Sequence, residues 1–168
     1  MEFEKVIRER CSIRSFSSKE IDNSLLDKIL EAGNLAPSAK NLQPIKIYVI
    51  KTKEYLDKIR ECSPCIYNAN TVLLVCSNKE KSFHKDNYST YEMDASISAT
   101  HMMLEATNLG IDSVWVEMFD NNKVKELFPI DEGFEPICLL PIGYRSEDAK
   151  ISPNHNIRKN IEEIVVNL

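Results

Sequence analysis

Glycine is scarce in this 168-residue chain: Gly33, Gly110, Gly133 and Gly143 are the only four. They cannot form a G-x-G-x-x-G turn or a G-x-x-x-x-G-K-[ST] loop, so a dinucleotide fingerprint and a backbone phosphate cradle are both excluded. A phosphate bound here must be held mostly by side chains. Long apolar runs are missing too. No stretch approaches 18 residues, and no membrane span is expected. The opening MEFEKVIRERCSIR is dense in charge and has the pattern of neither a signal peptide nor an anchor. The expectation is a cytoplasmic protein in a reducing compartment, with its five cysteines as free thiols. Basic charge is outweighed, 21 Lys and Arg against 26 Asp and Glu, for a net charge of −5. That argues against nucleic-acid partners, which need a basic face, but permits a local basic pocket for one small anion. His84, His101 and His155 are scattered, and no H-E-x-x-H or Ser-His-Asp arrangement is present. Cys62-Ser63-Pro64-Cys65 is a lone C-x-x-C without a second pair, so no metal site is expected.

What remains is ordinary globular material. A chain of this length folds as one domain over residues 1–168 and can bury roughly 70% of its unfolded surface. Residues 3–10 read as a helix with Val6 and Ile7 inward. Residues 23–32 read as a second, with Asp22 as N-cap and Gly33 as C-cap. Residues 45–50 form a β-branched strand, and Thr52 opens a helix to about Glu61 that buries Leu56 and Ile59. The apolar run 71–76 is a buried central strand. Residues 79–90 read as loop. Tyr91 to Leu109 is the longest helix, apolar nearly all round, and Gly110 ends it. A strand at 113–117, a helix at 121–128, a strand at 137–144 and an irregular stretch at 145–157 follow. Residues 161–166 could be strand or helix. Without strict βαβ alternation, the fold class is α+β.

Two clusters carry chemistry. Arg10-Cys11-Ser12-Ile13-Arg14-Ser15-Phe16 holds two arginines and two hydroxyls. In an extended segment Arg10, Ser12 and Arg14 project to one side. Guanidinium forks match the three acceptor oxygens of a phosphate monoester. Spacing alone favours a solvated basic helix end beside the helix dipole. Pro37-Ser38-Ala39-Lys40-Asn41-Leu42-Gln43-Pro44 is a loop pinned by two prolines and rich in amides. Its donors and acceptors suit a ring edge of alternating C=O and N–H, although by itself it also reads as an ordinary turn before a strand.

In order along the chain, these segments resemble the FMN-dependent nitroreductase family. R-x-S-x-R-x-F stands as Arg10, Ser12, Arg14 and Phe16. P-S-x-x-N-x-Q-P stands as Pro37, Ser38, Asn41, Gln43 and Pro44. L-G-x-x-S-x-W stands as Leu109, Gly110, Ser113 and Trp115, and P-I-G-Y as Pro141 to Tyr144. The resemblance implies a mixed, mainly antiparallel sheet flanked by helices, a homodimer, and a C-terminal segment exchanged with the partner subunit. It implies FMN as cofactor, NADH or NADPH as donor, and a nitroaromatic, quinone or similar small electrophile as acceptor. Arg10, Cys11, Ser12 and Arg14 would bind the flavin, with Arg10, Ser12 and Arg158 at its phosphate end and Arg14 near the N1–C2=O edge. Pro37, Ser38, Asn41 and Gln43 would reach the same flavin, Ser38 and Asn41 from the partner. Val116 and Glu117 would offer backbone N–H groups to N5 and O4.

Two departures stand out. Family members often carry a basic residue two positions before the C-terminal arginine, where this chain has Asn156. Some carry a lysine beneath the pyrimidine, and none lies near Cys65. The chain is also short for the family, which implies a more open substrate face. These departures motivate two alternatives: a flavin-binding redox sensor without efficient turnover, and a family member running another flavin reaction such as reductive dehalogenation.

Overall fold

The computed structural model describes residues 1–168. A four-stranded antiparallel sheet forms its centre, in the order β1 (Ile45–Ile50), β2 (Thr71–Asn78), β6 (Phe134–Gly143), β5 (Asp112–Ser113). Ser12 adds a parallel bridge to Ser113 on the outer side of β5, which makes the sheet mixed. The architecture is α+β, as expected.

β2 is buried along its whole length because both of its faces are covered. Val72, Leu74 and Cys76 point to one side, where they pack with Leu56 and Ile59 of α3 (Lys53–Cys62) and Val124 of α5 (Asn121–Leu127). Leu73 and Val75 point to the other. There they meet Leu26 and Ile29 of α2 (Asn23–Asn34) and Ala95, Ala99, Met102 and Ala106 of α4 (Tyr91–Asn108). The period-2 alternation of a strand thus divides one apolar run between two cores.

Several expectations change. α1 (Phe3–Glu9) buries Val6 but leaves Ile7 exposed, since one short helix turns only one face inward. Gly33 lies within α2, buried against α4, and Leu35 is the C-cap. Residues 79–90 contain a small hairpin, β3 (His84–Lys85) with β4 (Tyr88–Ser89). The strand expected over 113–117 shrinks to β5 plus an isolated Val116–Leu139 bridge. α4 is covered on one side only: Met93 and Ile97 are exposed, and Met103 and Leu104 are half-buried. Residues 161–163 form a single 3-10 turn capped by Asn160 and Glu163, and all of 157–168 is exposed. No helix is long and apolar enough to cross a membrane.

Candidate active site

The segment from Arg10 to Ser17 leaves α1 in extended form and is tied down on three sides. Ile13 N–H donates to the Ser113 carbonyl at 3.0 Å, and Phe16 N–H donates to the Tyr67 carbonyl at 3.2 Å. Ser17 N–H donates to the Tyr144 carbonyl at 2.8 Å, and Ser146 N–H returns a bond to the Ser15 carbonyl at 3.1 Å. A Cβ on Gly143, the last residue of β6, would lie 3.2 Å from the Phe16 ring, so glycine eases the close approach of the R-x-S-x-R-x-F segment.

Ser12 and Arg14 open together into a recess of about 200 Å³ with Ser152, Asn154 and His155. Arg158 lines a neighbouring recess of about 490 Å³ with Arg8, His155 and Asn156. Its Nη1 donates to the carbonyls of His155 and Ile157. The structure thus brings Ser12, Arg14 and Arg158 around one residue, His155, and Arg10 lines neither recess. Cys11 is buried, with its thiol 3.8 Å from Arg145 Nη2, so it can offer a ligand only its backbone. Tyr67, missed in the sequence, packs beside Arg14. The nearby Cys65 thiol and burial push its phenol up, while the Arg14 guanidinium pulls it down.

The Ser38–Gln43 loop is built against the start of α4. Lys40, Asn41 and Gln43 all have φ near +50°, a left-handed conformation uncommon outside glycine. The strain is held by a defined set of bonds. Gln43 N–H donates to Ser38 Oγ at 2.9 Å, and Gln43 Nε2 donates to Asn41 Oδ1 at 3.0 Å. Ala39 N–H donates to Asp94 Oδ1 at 2.9 Å, and Thr90 Oγ1 donates to Asp94 Oδ2 at 2.8 Å. Asp94 is almost fully buried, so its carboxylate is spent on the loop. Thr90 and Asp94, four residues apart at a helix start, were the available sequence signal. Pro37, Ser38, Gln43 and Asp94 surround a small recess of about 90 Å³.

Val116 and Glu117 differ from each other. Val116 N–H already donates to the Leu139 carbonyl at 3.0 Å and Leu139 N–H donates back, so Val116 has no free donor for a ligand. Glu117 N–H makes no backbone bond, and the Glu117 carboxylate accepts from Trp115 Nε1 at 2.9 Å.

The two clusters lie at opposite ends of the sheet. The loop binds Asp94 near the start of α4, whereas Ser12 pairs with Ser113 just past its end. From Asp94 to Gly110 the helix rises about 24 Å. The strands agree. Asn78 of β2 is bonded to Pro44, and Thr71, opposite Ile142, lies about 23 Å along the strand. The two clusters are thus separated by about the length of α4.

Comparison with known proteins gives a consistent result. The model of the Nitroreductase family matches residues 7–63 and 61–144. A relative from Archaeoglobus fulgidus, assigned by name to the NADH dehydrogenase/NAD(P)H nitroreductases, is 32% identical over 151 residues, 86% of each chain. A nitroreductase family protein of Clostridium difficile 630 superposes with a TM-score of 0.91 at 34% identity, covering 99% of this chain and 98% of its own. An FMN-dependent nitroreductase of Clostridium difficile R20291 gives 0.76 at 26%, covering 92% and 97%.

Proposed function

Because the chain belongs to the nitroreductase family, we propose that it is a homodimeric, FMN-dependent oxidoreductase of the cytoplasm, taking electrons from NADH or NADPH and passing them to small electrophiles such as nitroaromatics or quinones. The donor set fits FMN. Arg14, Arg158, Ser12 and His155 gather where no carboxylate lines either recess, in a chain whose net charge is −5. Anions are favoured at such a spot, and arginine meets phosphate with a fork of donors. When bound, FMN supplies hydride chemistry at N5. The chain's own residues do the rest. Ser12 and Arg158 hold the phosphate end. Arg14 sets a positive charge at the edge where negative charge gathers on reduction. Glu117 N–H, still unpaired, is left as the donor toward the reacting edge. No side chain is needed as acid or base.

The observation that carries the two-subunit site is the separation of the clusters. The Ser38–Gln43 loop can reach a flavin on Ser12 and Arg14 only from a second copy. Uncovered apolar surface supports the same reading. A groove of about 380 Å³ between α1, α2 and α4, lined by Phe3, Val6, Ala32 and Leu104, lies open, and Ile157, Ile161, Ile164 and Val166 are exposed on the tail. Obligate dimers typically bury about 2,000–5,000 Å² of such surface.

The test is the visible spectrum of the purified protein before and after each nicotinamide. A flavin spectrum that bleaches rapidly with NADH or NADPH, and recovers on adding a quinone, is expected. A protein that stays colourless after FMN is supplied would overturn the reading. Bound flavin that neither nicotinamide reduces would point instead to a sensor.

A further inference from the structure

We propose that the His155 side chain is a phosphate ligand of the flavin site. The inference rests on the FMN reading above. His155 is the one residue shared by two neighbouring recesses, one opened by Ser12 and Arg14, the other by Arg8 and Arg158. It sits on a 3-10 turn, Pro153–Asn156, begun by Ser152, whose side chain accepts from Asn154 N–H at 3.3 Å. Arg158 is bound back onto this turn through the His155 carbonyl. The turn therefore places His155 between the two arginine-bearing walls.

The charges that line the two recesses are all of one sign. Arg14 comes from the extended segment, Arg158 from the tail, and Arg8 from α1, where Glu4, outside either lining, pairs with it at 2.8 Å. An anion of nearly two charges is the species that relieves this arrangement.

The full chain is titrated with FMN and with riboflavin, which lacks the phosphate, by flavin fluorescence. Wild type is compared with His155→Ala and His155→Lys. His155→Ala should weaken FMN about tenfold, the scale of one exposed charge-assisted bond, and leave riboflavin unchanged. His155→Lys should restore FMN binding. An unchanged FMN-to-riboflavin ratio in His155→Ala overturns the proposal, and so does failure of lysine to restore binding. If wild type binds neither flavin, it is the FMN reading itself that fails.

Discussion

Arg145 and Asp112 form a forked pair. Arg145 Nε lies 2.9 Å from Oδ2 and Nη2 lies 2.5 Å from Oδ1, and the Arg145 backbone N–H also donates to Oδ2 at 3.0 Å. This closes β5 onto the chain just past β6. Arg145 also forms a bridge to Phe16 and reaches the Cys11 thiol, so the pair braces the segment that carries Ser12 and Arg14.

Breaking the fork should therefore reach the flavin site. Asp112→Asn is expected to cost about 1 kcal/mol, a modest figure because the arginine is half-exposed and solvent screens it. Urea denaturation checks that figure. FMN affinity should fall several-fold with the far-ultraviolet circular dichroism unchanged. Arg145→Lys should not substitute for arginine, since an ammonium cannot span both carboxylate oxygens.

Gly33→Ala opposes two effects. Alanine gains about 1 kcal/mol of helix propensity over glycine. At this position, however, the new Cβ would lie 2.7 Å from Met102 Cγ and 2.9 Å from Met102 Sδ, and Met102 is fully buried. Overpacking of this kind typically costs about 1–3 kcal/mol. Thermal denaturation should show a net loss of about 1 kcal/mol, and Met102→Ala in the same chain should make Gly33→Ala neutral or stabilising.

The Gly33 position also marks where sequence reasoning stops. A glycine near a helix end reads as a stop, and only the approach of α4 reveals it as a contact. Local pattern was sufficient for the extents of β1, β2, α3 and α4, and for the burial of β2 and α3. It was insufficient for Ile7, Val116 and the tail. Their surroundings are set by segments far away in sequence or by nothing in the single chain. Site residues followed the same division. Ser12, Arg14, Ser38 and Gln43 stood in recognisable motifs. Asp94, Tyr67 and Arg145 did not, because each acts through a neighbour brought up by the fold.

The five cysteines are free and differ sharply in accessibility. Burial pushes the Cys76 thiol up to about 12 and Cys138 higher still, and it raises Cys62 as well. The thiolate is the reactive form, so these three should be inert at pH 8. Cys65 is the only half-exposed one, 3.9 Å from the Met118 sulfur. Native protein should release one equivalent of thionitrobenzoate rapidly from Ellman's reagent, and all five only after unfolding. Cys65→Ser should remove the rapid phase. Fast reaction of a second thiol would contradict the burial of Cys11 or Cys62.

The proposed two-subunit site has a genetic signature. Take one variant defective at the phosphate segment, Ser12→Ala with Arg14→Ala, and another defective at the loop, Ser38→Ala with Asn41→Ala. Neither homodimer should hold FMN well. In a heterodimer, one site carries both lesions and the other carries none, because the twofold axis pairs the segment of one copy with the loop of its partner. Co-expression with random pairing should thus restore about a quarter of wild-type flavin content. Mixing the separately purified proteins should restore none until the subunits exchange. If one chain held the whole site, each heterodimer would keep one phosphate defect and one loop defect in separate sites, and co-expression would recover nothing. Flavin absorbance per polypeptide distinguishes the two arrangements.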